Sequence, residues 1–216
     1  QEGHPIGEFY VLEVDGVFQN FEEVNNYRSS DNTVIMPNAV PGDLRFKDQN
    51  DDGSIDNDDR ISYGSYTPKL MYSLNLGVNY RNFDFSVDFQ GVAGNKIYNA
   101  KRANRFGNES YDHDFYENRW HGEGTSSTYP SADVAGGMNA FPSTFFVESG
   151  AYFRIQNIQL GYTLPSRITD RVNVEQLRIY VTAQNPYSYF TYNGFSPEIP
   201  GGSPTTQGID YGVYPL

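Results

Sequence analysis

The sequence predicts an all-β protein built from antiparallel strands, and three features carry that prediction. Among its 216 residues are 18 Tyr, 15 Phe and 21 Gly, a combination typical of short strands joined by turns. Apolar and polar residues alternate with period two in several segments, as in strands with one apolar face. Apolar residues seldom recur at helical spacing, because Gly, Pro or Asn interrupts most windows.

The first predicted element is a short strand over residues 8–14, an apolar run that ends at the turn dipeptide Asp15-Gly16. The segment that follows, residues 15–69, is long and polar. Connections of this length are unusual in compact domains and are usually functional.

Within that segment, residues 48–59 fit the spacing of a calcium-binding loop, with Gly53 at the sharp turn. The predicted metal ligands are Asp48, Asn50, Asp52, the Ser54 carbonyl, Asp56 and Asp59. Two features depart from an EF-hand: the flanking residues are not helical in pattern, and Asp59 stands where a Glu is usual. The sequence predicts a structural Ca²⁺ site that stiffens the loop, with a solvated Asp/Asn/Gly-rich turn as the alternative.

The longest alternation predicts a β-hairpin over residues 70–90. Every second residue from Leu70 to Tyr80 is apolar, Arg81-Asn82 has the length of a tight turn, and alternation resumes at Phe83. A soluble sandwich would turn the apolar face inward, whereas a transmembrane barrel would turn it toward lipid. The strand length, the uniformly polar second face and the aromatic residues near strand ends favour the barrel.

The later predicted strands lie in residues 145–164 and 177–184. In the first, the apolar phase changes near Gln156-Asn157, which predicts a bulge there. Short connections at residues 81–82 and 165–176 alternate with long ones at residues 15–69, 94–144 and 187–216. This alternation is typical of outer-membrane barrels, which have short periplasmic turns and long extracellular loops.

Composition and motifs exclude several function classes. The formal net charge of −12 argues against a nucleic-acid partner, the absence of Cys excludes disulfides and thiolate chemistry, and no apolar run reaches the length of a membrane helix. The histidines are His4, His113 and His121, and no nucleophile motif accompanies the Asp-His-Asp run at 112–114. The sequence therefore predicts no enzymatic activity.

A series of short motifs runs in order along almost the whole chain. They include Gly7-Glu8-Phe9-Tyr10, Asp15-Gly16-Val17-Phe18-Gln19, Pro41-Gly42-Asp43-Leu44-Arg45-Phe46-Lys47-Asp48, Asn82-Phe83-Asp84, Gln90-Gly91, Asn118-Arg119-Trp120, Tyr129-Pro130, Tyr152-Phe153-Arg154-Ile155-Gln156-Asn157, Leu160-Gly161-Tyr162-Thr163-Leu164-Pro165, Gln184-Asn185 and Pro197-Glu198. Each motif is weak alone, and their number and order make the combination specific. The set resembles the C-terminal part of SusC/RagA-type TonB-linked outer-membrane transporters.

The resemblance implies a fold and a role. The fold is a 22-stranded barrel with an N-terminal plug, and the role is import of oligosaccharides or peptides across the bacterial outer membrane. The implied partners are a SusD-like lipoprotein lid, TonB, the imported ligand and outer-membrane lipid. Residues 1–216 would be the C-terminal portion of the barrel, without the TonB-contacting part and ending before the last strand. Residues 15–69, 94–144 and 187–216 would be extracellular loops.

Aromatic residues in the loops are candidates for stacking on a sugar ring. We single out Trp120, Tyr129, Tyr189 and Tyr192, because an aromatic face suits the apolar C–H face of a sugar. The alternative is that these residues pack the loops or lie at the membrane interface. A second function also remains open, that of a soluble secreted β-sandwich binding module with a Ca²⁺-stabilised loop.

Overall fold

The computed structural model describes residues 3, 6–104, 111–132, 137–199, 203 and 206–212. The strands are β1 (Glu8–Leu12), β2 (Val14–Val17), β3 (Leu44–Phe46), β4 (Arg60–Ser65), β5 (Leu70–Tyr80), β6 (Phe83–Ala93), β7 (Lys96–Tyr98), β8 (Val147–Ser149), β9 (Tyr152–Thr163) and β10 (Arg178–Phe190). The helices are short: α1 (Phe21–Asn26), α2 (Ala100–Ala103), α3 (His113–Asn118) and α4 (Ser166–Thr169). In the described part of the chain, no helix is long and apolar enough to cross a membrane. The prediction of a mainly β, antiparallel protein is confirmed.

The chain divides into two compact units. The first, here called the sheet unit, comprises residues 67–95 and 149–193. The second, here called the loop unit, comprises residues 1–66, 96–148 and 194–216. The segments predicted as long extracellular loops supply most of the loop unit, and the predicted long strands form the sheet unit.

The sheet unit contains one antiparallel four-stranded sheet in the order β10-β9-β6-β5. The predicted hairpin is confirmed: β5 and β6 pair from Leu70 opposite Ala93 to Tyr80 opposite Phe83. Arg81 in the connecting turn has φ +54°, the left-handed conformation that two-residue hairpin turns require. At the same end of the sheet, the segment that contains α4 is closed by a 2.8 Å hydrogen bond from Leu164 N to the Leu177 carbonyl oxygen.

The long connections join the sheet at the end opposite the Arg81-Asn82 turn. The strand residues at that end are Leu70, Ala93, Tyr152 and Phe190, which the register places side by side. The short connections and the long ones therefore leave from opposite ends of the sheet, as the alternation of loop lengths predicted.

The predicted bulge near Gln156-Asn157 is present. Asp88 pairs with Asn157 and Phe89 pairs with Ile155, so Gln156 is the extra residue opposite β6. On the other side of β9 the register shifts between Gln184 and Tyr187, and Asn185 within that shift has φ +49°. Because the irregularity accommodates Asn185-Pro186, β10 continues to Phe190, into the segment that the sequence predicted as a loop.

The loop unit is built around buried aromatic and aliphatic side chains. Three two-stranded sheets, β1 with β4, β2 with β3 and β7 with β8, frame it. Phe18, Phe46, Phe115 and Phe146 are fully buried there, in clusters that also bury Leu44, Val24 and Met36. Segments that are polar in average composition thus contain a packed core.

Candidate functional site

One face of the four-stranded sheet is apolar across all four strands. The register brings Leu76, Val87, Ile158 and Ala183 into one row across the sheet. A second row, nearer the short connections, is Tyr80, Phe83, Tyr162 and Ile179, in which the Phe83 and Tyr162 ring centroids are 4.6 Å apart. Much of this face is open to solvent: Leu76 is 48% exposed and Val181 is 72% exposed.

The opposite face carries polar side chains that bond across strands. Asp88 on β6 accepts hydrogen bonds from Asn75 on β5 and from Asn157 on β9, the latter at 3.5 Å. Thr182 on β10 donates to Asn157 Oδ1 at 2.8 Å, so the network reaches all four strands. The sheet is therefore amphipathic as a whole, and this network links its polar face across the four strands.

An ion pair on the polar face crosses a strand at a glycine. Arg178 on β10 donates through Nε and Nη2 to the two carboxylate oxygens of Asp84 on β6, at 3.0 and 2.5 Å. The intervening residue on β9 is Gly161, where a Cβ atom would lie 2.5 Å from Asp84 Oδ2 and 2.6 Å from Arg178 Nη2. A glycine at this position is what leaves room for the pair.

In the acidic loop of residues 48–59, side-chain carboxylates accept hydrogen bonds from backbone N–H groups of the same loop. Asp48 accepts from Asp51 N at 2.6 Å and from Gly53 N at 2.9 Å, and Gly53 turns the chain with φ +83°. Asp52 Oδ1 accepts from both Ser54 N and Ser54 Oγ. Hydrogen bonds from Ser54 and then Asn50 hold the pKa of Asp52 below its usual value.

The closing residue of that loop, Asp59, is fully buried. Its two oxygens accept from Gln49 N at 2.7 Å and Asp56 N at 2.8 Å, which ties the two ends of the loop together. Across the described residues, no group of three or more His, Asp or Glu side chains is arranged to hold a metal ion. The structure therefore does not bring the sequence-predicted carboxylate ligands together as a cluster, and the Ca²⁺ site stays a prediction.

A cavity of about 580 Å³ lies in the loop unit. It is bounded by the segment that follows β2, the end of α3 and residues 124–129. It is lined by Gln19, Glu117, Asn118, Gly124, Thr125, Ser126, Ser127, Thr128 and Tyr129. The volume falls in the range of small-molecule sites, which is about 300–1,000 Å³. Of the four predicted ligand-contacting aromatics, Tyr129 lines this cavity.

Gln19 fixes one wall of the cavity with all of its side-chain hydrogen-bonding atoms. Its Nε2 donates to the carbonyl oxygens of Val17 and Ser126, at 2.8 and 2.9 Å. Its Oε1 accepts from Gly124 N at 2.9 Å and from the Trp120 indole N–H at 3.3 Å. The loop that carries the serines and threonines is thereby held against the segment after β2.

Asp114 fixes the other wall. Its Oδ2 accepts from Arg102 Nη2 at 2.7 Å and from the Tyr129 hydroxyl at 2.8 Å, and its Oδ1 accepts from Asn118 Nδ2 at 3.1 Å. Two cavity-lining residues, Asn118 and Tyr129, are therefore positioned by one carboxylate.

Arg102 anchors that carboxylate and is itself 6% exposed. Burial alone would lower its pKa, but contacts with Tyr129, Asp112 and Glu148 outweigh burial and raise the pKa. The guanidinium carbon lies 5.1 Å from the Tyr129 ring centroid, and burial raises the pKa of the Tyr129 hydroxyl. Sequence reasoning did not single out Gln19, Arg102 or Asp114 for these roles, because the contacts join residues far apart in the chain.

The remaining predicted ligand-contacting aromatics lie elsewhere. Trp120 is half-buried against the core cluster around Phe18, and its ring fills the space above Gly42, where a Cβ would lie 2.6 Å from it. Tyr189, 59% exposed, lies opposite Phe153 on the apolar face of the sheet, and Tyr192 is buried. Trp120 and Tyr129 share the loop unit, whereas Tyr189 and Tyr192 belong to the sheet unit.

The two carboxylates that flank His113 in the sequence have structural roles. Asp112 caps α3 by accepting from Phe115 N, Asp114 pairs with Arg102, and the exposed His113 lies 3.5 Å from Glu117. His121 Nδ1 contacts the Arg119 carbonyl oxygen, and His4 lies outside the described residues.

Sequence comparison finds relatives that match most or all of the chain. It is 30% identical over all of its length to "TonB-dependent receptor P3" of Formosa agariphila, and 28% identical over 99% of its length to "TonB-dependent receptor P26" of the same organism. It is 29% identical over 84% of its length to "TonB-dependent receptor SusC" of Bacteroides thetaiotaomicron. The chain spans 21%, 22% and 17% of these three proteins. No family model matches the chain.

Structure comparison shows that the chain shares its fold with part of two solved structures. The chain aligns over 96% of its length with a structure of the RagAB peptide importer in the closed-closed state, at 19% identity and a TM-score of 0.63. A structure of the RagAB peptide transporter aligns over 96%, at 18% identity and a TM-score of 0.64. The chain covers 21% of each matched chain.

Proposed function

Because this chain belongs to the SusC/RagA family of TonB-dependent receptors, we propose that it forms part of the barrel wall of an outer-membrane nutrient importer. The single observation that carries the proposal is the apolar face that continues across β5, β6, β9 and β10. A face of this kind, backed by a hydrogen-bonded polar face, suits a sheet with lipid on one side and a wet lumen on the other.

The dimensions of the sheet support a membrane-crossing role. β5 and β6 each have 11 residues, which gives roughly 36 Å of strand, or about 25–30 Å of height at barrel tilt. That height matches the apolar band of outer-membrane barrels, about 25 Å. Tyr80, Phe83 and Tyr162 near one end and Tyr72, Phe153 and Tyr189 near the other occupy the positions of two aromatic girdles.

The same orientation assigns sides to the connections. Arg81-Asn82 and residues 165–176 face the periplasm, and residues 15–69, 94–144 and 187–216 lie on the extracellular side. The importer carries oligosaccharides or peptides, works with a SusD-like lipoprotein lid and draws energy through TonB. TonB dependence is in keeping with the names of the sequence relatives, and peptide import is in keeping with the name of the RagAB structures. The oligosaccharide alternative and the lid follow from the family resemblance of the sequence motifs. It has no enzymatic role, in keeping with the capping and ion-pairing roles of the carboxylates around His113.

The alternative, a soluble β-sandwich module, needs the apolar face to be covered by a second sheet. Leu74, Val78 and Tyr80 are 54%, 61% and 64% exposed, and exposed apolar patches of this extent are rare on soluble monomers. The barrel wall is the function that the geometry supports better.

Purification from native outer membranes tests the proposal. The full-length protein, tagged and extracted in mild detergent, is expected in the outer-membrane fraction together with a lipoprotein of the lid type, identified by its mass. Deletion of its gene is expected to abolish growth on an oligosaccharide or a peptide as sole nutrient. A protein recovered from the soluble fraction without detergent would contradict the proposal and favour the soluble module.

A further inference from the structure

We propose that the periplasmic end of the sheet unit binds the phosphate groups of phospholipids in the adjoining leaflet, through Arg81, Arg167 and Arg171. This inference rests on the proposed function, because it needs the apolar face to lie against lipid and residues 81–82 and 165–176 to face the periplasm. It goes further in naming the lipid chemistry at that end of the sheet and the three side chains that recognise it.

Arg81 lies beside the apolar face of the sheet. It occupies the turn between β5 and β6, which a 2.8 Å hydrogen bond from Thr163 N to the Asn82 carbonyl oxygen holds against β9. The guanidinium carbon of Arg81 is 5.3 Å from the centroid of the Tyr80 ring. Tyr80 belongs to the apolar row nearest the short connections and is 64% exposed. The cation therefore stands at the edge of the surface assigned to lipid.

The second short connection presents two more arginines on a folded segment. Val174 N donates to the Thr169 carbonyl oxygen at 3.1 Å, and Thr169 itself is buried. Arg167 and Arg171, on either side of Thr169 in the chain, are exposed. Both guanidinium groups are thus carried by a defined backbone at the same end of the sheet as Arg81.

Apolar side chains extend the lipid-facing surface onto this connection. Leu177 is 43% exposed, Ile168 is 53% exposed and Val174 is 39% exposed. Ile168 follows Arg167 directly, so an apolar group and a cation are presented together. Such a combination suits the boundary between hydrocarbon and headgroups, where an arginine packs its stem on apolar surface and reaches the polar region with its guanidinium.

The charges at this end favour recognition of phosphate itself. The three arginines form no ion pair with a described residue, whereas the neighbouring Arg178 is paired with Asp84. Asp170 and Glu175 lie in the same connection, so the end is not a plain positive patch that would select lipids by net charge. A guanidinium binds phosphate through paired N–H donors as well as through charge, and every phospholipid offers that group.

Continuity with the apolar face distinguishes a phospholipid from a soluble phosphate. A soluble phosphate would leave the exposed Tyr80 and Ile168 side chains uncovered. A phospholipid lays its acyl chains along the apolar face and places its phosphate at the edge of that face, where the arginines stand.

Native mass spectrometry of the full-length protein, in a detergent without phosphate, tests the inference. The probes are dioleoyl-phosphatidylglycerol, which is anionic, dioleoyl-phosphatidylethanolamine, which is zwitterionic, and a dioleoyl digalactosyl lipid, which has no phosphate. We expect both phospholipids to bind more tightly than the galactolipid, because recognition depends on phosphate. Glycerol 3-phosphate, which has no acyl chains, is expected not to bind.

Variants locate the binding. The triple variant Arg81→Gln, Arg167→Gln, Arg171→Gln should lose at least one tightly bound phospholipid per protein and no galactolipid. Each single variant should weaken that phospholipid by roughly fivefold, the effect of one basic residue at a headgroup surface. Arg154→Gln removes the same charge near the other end of β9, where Arg154 bonds Ser188, and is the matched control that should change nothing. The single variants carry the test if the triple variant does not fold.

Four outcomes would overturn the inference. They are equal binding of phospholipids and galactolipid, undiminished phospholipid binding in the arginine variants, an equal loss in Arg154→Gln, and binding of glycerol 3-phosphate that the arginine variants abolish. The last would assign the arginines to a soluble phosphate. If any of them occurs while the protein is still recovered from the outer membrane, the headgroup assignment fails and the proposed function stands.

Discussion

The sheet unit and the loop unit place apolar side chains in opposite ways. In the loop unit Phe46 and Phe146 are fully buried, whereas in the sheet unit Leu76 and Val181 are 48% and 72% exposed. Both units are rich in aromatic residues, so composition does not distinguish them. The difference indicates that the loop unit folds around its own core, as a protein in water does. The exposed apolar face of the sheet unit is what the proposed contact with lipid requires.

The largest effect is expected where the loop unit buries an aromatic ring. Phe146→Ala should lower the free energy of unfolding of the loop unit by about 3–5 kcal/mol, because it leaves a cavity in the core. Urea titration of the full-length protein, followed by proteolysis of the loop unit, measures the change. Phe21→Ala is the control, since Phe21 is 62% exposed and should change stability by about 0.5 kcal/mol or less. Equal losses of stability in the two variants would contradict the claim that the loop unit folds around a buried core.

The next largest effect tests the sheet unit. Leu76→Arg places a charge in the middle row of the apolar face and should destabilise the protein in liposomes by about 2–4 kcal/mol. Ser86→Arg, on the polar face of the neighbouring strand at a similar depth, should be close to neutral. Denaturant titration in liposomes measures both. If Ser86→Arg is the more damaging, the assignment of the two faces is reversed.

The pH dependence of the loop unit gives a third test. Burial raises the pKa of Tyr98 to about 12, whereas an unfolded tyrosine titrates near 10. Between these values the folded state keeps a proton that the unfolded state has lost, so stability falls as pH rises. The expected loss is up to about 2–3 kcal/mol from pH 10 to 12. Tyr98→Phe should remove this decrease of unfolding free energy with pH. Unfolding at several pH values measures it, with absorbance at 295 nm as the signal of tyrosine ionisation. An unchanged decrease in the variant would contradict the burial of Tyr98.

Two glycines in the sheet unit should respond differently to the same change. Gly161→Ala should destabilise the protein by roughly 1–3 kcal/mol, because the added methyl collides with the Asp84–Arg178 pair. Gly77→Ala is the control, since the nearest atom to its Cβ would be the Phe85 carbonyl oxygen at 3.9 Å. Thermal unfolding in detergent compares the two variants, and similar melting temperatures would mean that the ion pair does not cross the sheet at Gly161.

The smallest effect concerns the acidic loop. If residues 48–59 bind Ca²⁺, a concentration ten times the dissociation constant should stabilise the loop unit by about 1.4 kcal/mol. Asp48→Asn should abolish the effect, and Asp31→Asn, an acidic side chain outside that loop, should not. Calorimetric titration with Ca²⁺ after chelation measures binding directly. An absence of heat and of stabilisation would favour the solvated turn.

The elements of the sheet were the most predictable part of the fold. Period-two alternation identifies β5 and β6 directly, and the phase change near Gln156 identifies the bulge, because both signals are local in sequence. The extension of β10 to Phe190 was missed, because Asn185-Pro186 is a turn signal that the irregularity of the paired strands accommodates.

The loop unit was much less predictable. Residues 15–69 and 94–144 have no sustained periodicity, since their buried positions are single residues that pack with partners far away in the sequence. Phe18 and Phe46 lie in one cluster, and Phe115 packs with Phe146 in another. The positioning roles of Gln19 and Asp114 depend on contacts 105 and 15 residues away, to Gly124 and Tyr129. Pairwise contacts of this kind leave no pattern in one sequence.

Accessibility along β5 tests the central claim most directly. Nitroxide labels placed one at a time at residues 73–79 of the full-length protein in liposomes report collision with oxygen, which concentrates in lipid, and with a water-soluble nickel complex. We predict alternation with period two: high oxygen accessibility at Leu74, Leu76 and Val78, and high nickel accessibility at Ser73, Asn75 and Asn79. Equal nickel accessibility on both faces, or the reverse phase, would contradict a lipid-facing sheet.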